Sequence, residues 1–254
     1  MKPQTVLVTG ASAGFGAAIA RRFAADGARL ILAGRRGERL QALAAELSVP
    51  CLALPLDVRE RAAVEAAVAA LPAEFAGIDL LVNNAGLALG MEPAQRASLD
   101  DWEQMVDTNI KGLLYLTRAL LPGMVARGRG HIVNLGSIAG EWPYAGGNVY
   151  GGTKAFVRQF SLNLRADLLG TPVRVSNVEP GLCGGTEFSN VRFHGDDARA
   201  AKVYEDTQPL SAEDIADTVH WIATRPAHIN INTISLMPTC QAFAGLAVHR
   251  GPLG

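Results

Sequence analysis

Tyr150 and Lys154 stand four residues apart, close enough to share one face of a helix, one turn above the other. A free tyrosine holds its proton to a pKa of about 10. A lysine ammonium alongside favours the phenolate, so the phenol could exchange protons with a substrate oxygen near neutral pH. Upstream, Ser137 follows the apolar run His131-Ile132-Val133-Asn134-Leu135, where a strand would stop and a hydroxyl could face a cleft. Tyr/Lys pairs at this spacing also occur on ordinary solvated helices. Chemistry therefore has to be argued from what accompanies the pair.

Near the N-terminus, Thr5-Val6-Leu7-Val8 reads as a short strand ending at Thr9-Gly10, with Ala11-Ser12-Ala13-Gly14-Phe15-Gly16 and a helical pattern from Ala17 to Ala25 behind it. Strand, glycine-rich turn and helix together suit a dinucleotide: Gly10 for the turn, Gly14 for close approach to a pyrophosphate, Gly16 for helix packing. The spacing is G-x-x-x-G-x-G, not G-x-G-x-x-G. A second strand, Arg29 to Ala33, ends in Gly34-Arg35-Arg36. An acid there would bind a ribose 2′-hydroxyl, whereas arginine accommodates a 2′-phosphate, so the pair favours NADP over NAD. The competing reading is that Arg36 and Arg39 merely begin a solvated helix. Asp57-Val58, after a strand at Leu52 to Leu56, offers a carboxylate to an adenine amino group. Asn83 and Asn84, after the apolar run from Asp79, are expected both to tie down backbone and to touch a ligand.

These groups need elements to position them. The chain has 254 residues, 49% hydrophobic and 19% charged, with 23 basic against 24 acidic side chains and a net charge of -1. That suits one large globular domain and leaves no basic footprint for nucleic acid. No apolar run reaches membrane-spanning length. Cys51, Cys183 and Cys240 are scattered and odd in number, and the five histidines lack metal spacing, so no metal is expected. The start of the chain has no signal-peptide anatomy, and a cytoplasmic protein is expected.

Further strands are read at His131 to Gly136, Val173 to Val178 and Ile231 to Leu236, and further helices at Arg36 to Leu47, Glu60 to Leu71, Leu99 to Met124 and Asn148 to Leu169. Phe156, Phe160 and Leu164 are taken as the core stripe of the last of these. Ser211 to Asp214 should cap one more helix. The irregular stretch 182–210 is expected to be a lid or substrate loop. Alternating strands and amphipathic helices predict an α/β fold with a doubly wound, seven-stranded parallel sheet. Ligands bind such sheets at the strand carboxyl ends, where Gly10, Arg35, Asp57, Asn84, Ser137 and Pro180 all fall. The tail from Gly245 to Gly254 admits two readings, a cover over a neighbouring subunit or a disordered end.

Taken in order, Thr9-Gly10-x-x-x-Gly14-x-Gly16, Asn83-Asn84-Ala85-Gly86, Asn109, Ser137, Tyr150-x-x-x-Lys154 and Pro180-Gly181 resemble the short-chain dehydrogenase/reductase family across roughly the whole chain. The resemblance implies a single-domain Rossmann fold and an Asn109/Ser137/Tyr150/Lys154 tetrad. It implies cofactor contacts at Gly10, Ser12, Gly14, Phe15, Gly16, Arg35, Arg36, Asp57, Val58, Asn84, Ala85, Gly86, Tyr150, Lys154, Pro180, Gly181 and Thr186. The runs Asn84 to Pro93, Trp142 to Tyr150, Thr186 to Phe193 and Pro226 to Asn232 are similar to the bacterial NADP-dependent 3-hydroxy acid dehydrogenases, a homotetrameric group that includes serine and L-allo-threonine dehydrogenases and malonic semialdehyde reductases. Gly152, Glu141 and Cys183 depart from that pattern. Glu141 is expected to repel an anionic substrate, and Gly152 to loosen its helical turn.

On this reading Tyr150 is the acid/base, Lys154 lowers its pKa and holds the nicotinamide ribose, and Ser137 bonds the reacting oxygen. Asn109 bends its helix and supports a water path, and Arg192 is the candidate for a substrate carboxylate. The alternatives are a broader carbonyl or 3-ketoacyl reductase and a non-catalytic NADP-sensing protein.

Overall fold

Seven parallel strands carry the chain, in the order β3-β2-β1-β4-β5-β6-β7, in a computed structural model that describes residues 2–243. The strands are β1 (Thr5–Thr9), β2 (Arg29–Gly34), β3 (Cys51–Pro55), β4 (Leu80–Asn83), β5 (Gly130–Leu135), β6 (Val173–Pro180) and β7 (Thr233–Leu236). Every residue of β1 and β4 is buried. Period-two alternation sends Val6, Val8, Leu30 and Leu32 into one core and Leu7, Ile31, Leu81 and Ile132 into another, one on each side of the sheet. The first core is closed by Ile19 and Phe23 of helix α1 (Gly14–Ala24) and by Ile215 and Val219 of α9 (Ala212–Ala223). The second is closed by Val64 of α3 (Arg61–Ala69), Leu116, Leu120 and Met124 of α5 (Leu113–Ala126), and Leu164 of α6 (Asn148–Asp167). Sheet and helices form the doubly wound single α/β domain expected.

Strand order reverses between β1 and β4, which pair in register from Val6↔Leu80 to Val8↔Val82. That switch point is where an open parallel sheet offers a crevice. The turn after β1 and the Asn84-Ala85-Gly86 turn after β4 line its two sides. Helix α2 (Gly37–Glu46) follows β2, and the excursion after β6 contains two short helices, α7 (Phe188–Arg192) and α8 (Asp197–Lys202). Ser211 and Asp214 form a reciprocal capping box on α9, as the sequence predicts.

The helical run expected from Leu99 is continuous, as α4 (Leu99–Val106), a π-helical turn over Asp107–Gly112, then α5. One reading needs correction. The most deeply buried stripe of α6 is Thr153, Val157, Ser161 and Leu164, with half-buried Phe160 packed against the same core; Phe156 lies off the core and stacks on Phe160 at 5.7 Å. The Gly245 to Gly254 stretch lies outside the described residues. Among those described, no helix is long and apolar enough to cross a membrane, and no cluster of metal-binding side chains occurs.

Candidate active site

Helix α6 presents Tyr150 and Lys154 inward, 8% and 7% exposed. Lys154 Nζ lies 5.7 Å from the Tyr150 ring centroid and donates to the Leu135 carbonyl at 2.8 Å, at the end of β5. Ser137, two residues beyond that carbonyl, directs its hydroxyl to the Pro180 carbonyl at 3.5 Å. Its Oγ also accepts from Ala139 N at 3.1 Å, which caps the 3-10 turn Ile138–Gly140. That turn sits directly on α6: a Cβ at Gly140 would come within 2.7 Å of the Lys154 backbone. The serine and the tyrosine are thus set by one helix-to-turn contact.

Asn109 occupies the π-helical turn. Its Oδ1 accepts from Leu87 N, and its Nδ2 donates to Leu87 O and Thr153 Oγ1, at 2.9, 2.9 and 3.0 Å. The side chain locks the strand β4 loop to α6. The helix departs from α-geometry here, as expected of a bend, although the side chain is spent on Leu87 and Thr153. A Cβ on Gly86 would lie 3.5 Å from Lys154 Nζ and 3.3 Å from Asn109 Oδ1, so Gly86 lets that loop close on the pair.

Burial pushes the Tyr150 phenol well above its ordinary value, with Ser137 and Arg192 opposing. Burial also brings the Lys154 amine down to about 8.

At the other end of the crevice, Gly10 and Gly14 adopt φ of +65° and +51°. The N-terminus of α1 is capped by no side chain and carries no acid in its first turn. Unpaired N–H groups at a positive helix end, beneath a glycine turn, suit a pyrophosphate. Asn84 ties this turn to the β4 loop, donating to Thr9 O at 2.8 Å. Asn83 is buried within the sheet, bonded to Thr117 and Asn134, and does not face the crevice. Arg36 donates to Ser12 Oγ at 3.1 Å and to Glu187 at 2.7 Å, and Arg39 to Glu187 at 2.8 Å. Neither is the free surface charge of a solvated helix. Arg35 is exposed, with no hydrogen-bond partner among the described residues. Both oxygens of Asp57 already accept from Arg59, at 2.6 to 3.1 Å.

Arg192, on α7, lies over the rings of Tyr144 and Tyr150, 5.4 and 5.7 Å from their centroids. It donates to the Tyr144 hydroxyl at 2.7 Å and to Gly90 O at 3.3 Å, and forms no ion pair among the described residues. Phe188 meets the Tyr150 ring edge-on at 5.9 Å. Tyr144, Phe188 and Glu187 escaped the sequence reading; only the two glycines after Tyr144 hinted that its ring is packed, since a Cβ on Gly147 would strike it at 2.7 Å. Glu141 is not a lone charge, because its carboxylate accepts from Arg158 at 2.7 Å. Cys183, in the loop after β6, has its thiol pushed up to about 12 by burial.

Comparison with known proteins places this geometry among relatives. Residues 4–196 match the model of a family described as short chain dehydrogenase. The NADP-dependent 3-hydroxy acid dehydrogenase YdfG of Salmonella typhi is 66% identical over 245 residues, 96% of this chain and 99% of that protein. The serine 3-dehydrogenase of Agrobacterium fabrum is 54% identical over 246 residues, 97% of this chain and 98% of that protein. A solved structure described as the closed form of serine dehydrogenase complexed with NADP+ superposes with a TM-score of 0.96 at 64% identity, covering 97% of this chain and all of that one (100%).

Proposed function

The chain belongs to the short-chain dehydrogenase family, and from that premise we propose that it interconverts small 3-hydroxy acids and their 3-oxo acids or semialdehydes with NADP. The observation that carries this reading is the convergence of Arg192 on Tyr150. A guanidinium that can fork a carboxylate stands beside the phenol that would handle the reacting oxygen's proton. The glycine turn, the uncapped α1 terminus and Arg36 fit the pyrophosphate and 2′-phosphate of NADP.

When bound, the cofactor supplies or accepts the hydride; the protein contributes position and electrostatics. Ser137 donates a hydrogen bond to the substrate's reacting oxygen. In reduction, Tyr150 gives its phenolic proton to that oxygen, and in oxidation it takes the hydroxyl proton back. As folded, burial keeps Tyr150 protonated, the form needed for reduction. Lys154, coming down to about 8, can pass a proton on near its own pKa. Asn109 holds the β4 loop and α6 in register. Arg192 and Tyr144 fix the carboxylate, and so set which carbon faces the hydride.

The test is nicotinamide reduction followed by absorbance, with L-serine, D-serine, L-allo-threonine and 3-hydroxypropionate, each with NADP and NAD. NADP-dependent turnover of these acids is the expected result. Turnover confined to neutral ketones or thioesters would replace it with a broader carbonyl or 3-ketoacyl reductase, and cofactor binding without turnover of any carbonyl with a sensor. Assembly as a homotetramer is proposed on the family likeness, supported by exposed Val125 on α5, Leu162 on α6 and Leu169 just beyond it; light scattering decides it. Three unpaired cysteines support residence in the cytoplasm.

A further inference from the structure

Glu187 joins two parts of the cleft that carry different tasks. Its Oε2 accepts from Arg36 Nη1 at 2.7 Å and its Oε1 from Arg39 Nη1 at 2.8 Å. Arg36 in turn donates to Ser12 of the glycine turn. One residue before Glu187, Thr186 lies against that turn, where a Cβ on Gly14 would meet it at 3.3 Å. One residue after it, Phe188 begins α7 and packs on Tyr150, and the same short helix carries Arg192. The excursion therefore crosses the crevice, with its substrate-facing end at Tyr150 and its far side anchored at the β2–α2 turn.

From this we infer that Glu187 is a positioning residue, a strap that ties substrate helix α7 to the arginines at the adenosine end of the cleft and so makes cofactor release and movement of α7 one event. The inference rests on the reading of the crevice as the NADP site. The chemistry suits a strap rather than a structural pin. Glu187, Arg36 and Arg39 are 45%, 42% and 53% exposed, so the ion pairs form and break in contact with water. Both carboxylate oxygens are used, one per arginine, so the anchor has a defined direction. Arg36 and Arg39 hold the Glu187 carboxyl below the usual carboxylate range, which keeps the strap charged at neutral pH. Arg36 Nη2 has no bond to the glutamate and stays free to meet a 2′-phosphate while Nη1 holds the strap.

The experiment is stopped-flow release of prebound NADPH, read by its fluorescence and chased with excess NADP+, on wild type, E187Q, E187D, R39Q and the E187Q/R39Q double variant. A strap predicts NADPH release three- to tenfold faster in E187Q, a smaller increase in R39Q, and partial recovery in E187D. The double variant should release no faster than E187Q, because both substitutions cut one connection. NADH release should quicken in E187Q as well, since the strap closes over either cofactor, and the Michaelis constant for substrate should rise more than kcat falls. Unchanged NADPH release in E187Q, or additive effects in the double variant, would overturn the strap. So would slower NADPH release with NADH unaffected, which would mark Glu187 as a competitor of the 2′-phosphate. Wild type that binds no NADPH would instead overturn the cofactor reading itself, and the two failures are distinguishable.

Discussion

Lys154 illustrates how much of a side chain's chemistry depends on where its atoms point. Four residues from Tyr150, its amine donates to the Leu135 carbonyl, and its pKa has come down to about 8 from an ordinary 10.5. The sign of the consequence follows from linkage. Below about pH 8 the folded chain must keep a charged amine in a dry site, while the unfolded chain charges it freely up to about 10.5. Between those values the unfolded state binds more protons, so wild type gains stability as pH rises. Against Lys154→Met, urea unfolding at pH 7, 8.5 and 10 should show the difference moving toward wild type by up to about 3 kcal/mol; a constant difference would show that the amine is not perturbed. Tyr150→Phe should keep NADPH binding and lose turnover by a factor of at least about 10³, and retained turnover would remove the phenol from acid/base work. Arg192→Ala should raise KM for a hydroxy acid at least about tenfold more than for a neutral ketone, a difference near 1.4 kcal/mol; equal effects on both would take Arg192 away from the carboxylate.

Elements hold these residues, and α6 bears most of that duty. Arg158, one turn beyond Lys154, donates to Glu179 at 2.8 Å and to Glu141 at 2.7 Å. Glu179 is the last residue but one of β6 and is 1% exposed, whereas Glu141 is 39% exposed. The guanidinium therefore ties the helix of the tetrad to the strand end and to the turn that carries Ser137. Burial raises the Glu179 pKa, with Arg158 opposing it. Arg158→Met leaves a buried carboxylate without its cation and should destabilise by about 3 kcal/mol or more. Glu141→Gln breaks only the solvated pair and should change stability by less than about 1 kcal/mol. Comparable losses in denaturant unfolding would mean that the two carboxylates are equivalent, contrary to their burial. Gly152 lies on the exposed side of the same helix, and a Cβ there meets nothing within 4 Å. Gly152→Ala should then stabilise by up to about 1 kcal/mol and raise Tm by about 2–4 °C. A lower Tm would show that the glycine serves a contact beyond this chain.

At the scale of the whole molecule, the sheet and its helices were legible because each depends on local pattern. β1 and β4 are unbroken buried runs, α9 announces its own capping box, and the strand ends where ligands gather follow from topology. What escaped depends on partners distant in sequence. Asn83 was read as partly a ligand group but bonds from β4 to Asn134 on β5 and to Thr117 on α5. Glu141 looked like a free anion until Arg158 folded beside it, and Glu187 lies 151 residues from Arg36. Spacing does not encode such pairings, which arise only once helices cross the sheet. The same global closure gives the last expectation. The glycine turn after β1, the Tyr150–Lys154 pair and α7 belong to one domain, so a ligand gripping the crevice stabilises all of it by mass action, by about 2.7 kcal/mol at a hundred times its Kd. NADPH at that excess should raise Tm by roughly 5–10 °C. NADH at the same concentration, lacking the phosphate that Arg35 and Arg36 are proposed to meet, should raise it by only a few degrees. Differential scanning fluorimetry with both cofactors separates the outcomes: equal shifts would mean that those arginines do not read the 2′-phosphate, and that Arg36 serves the glutamate strap alone.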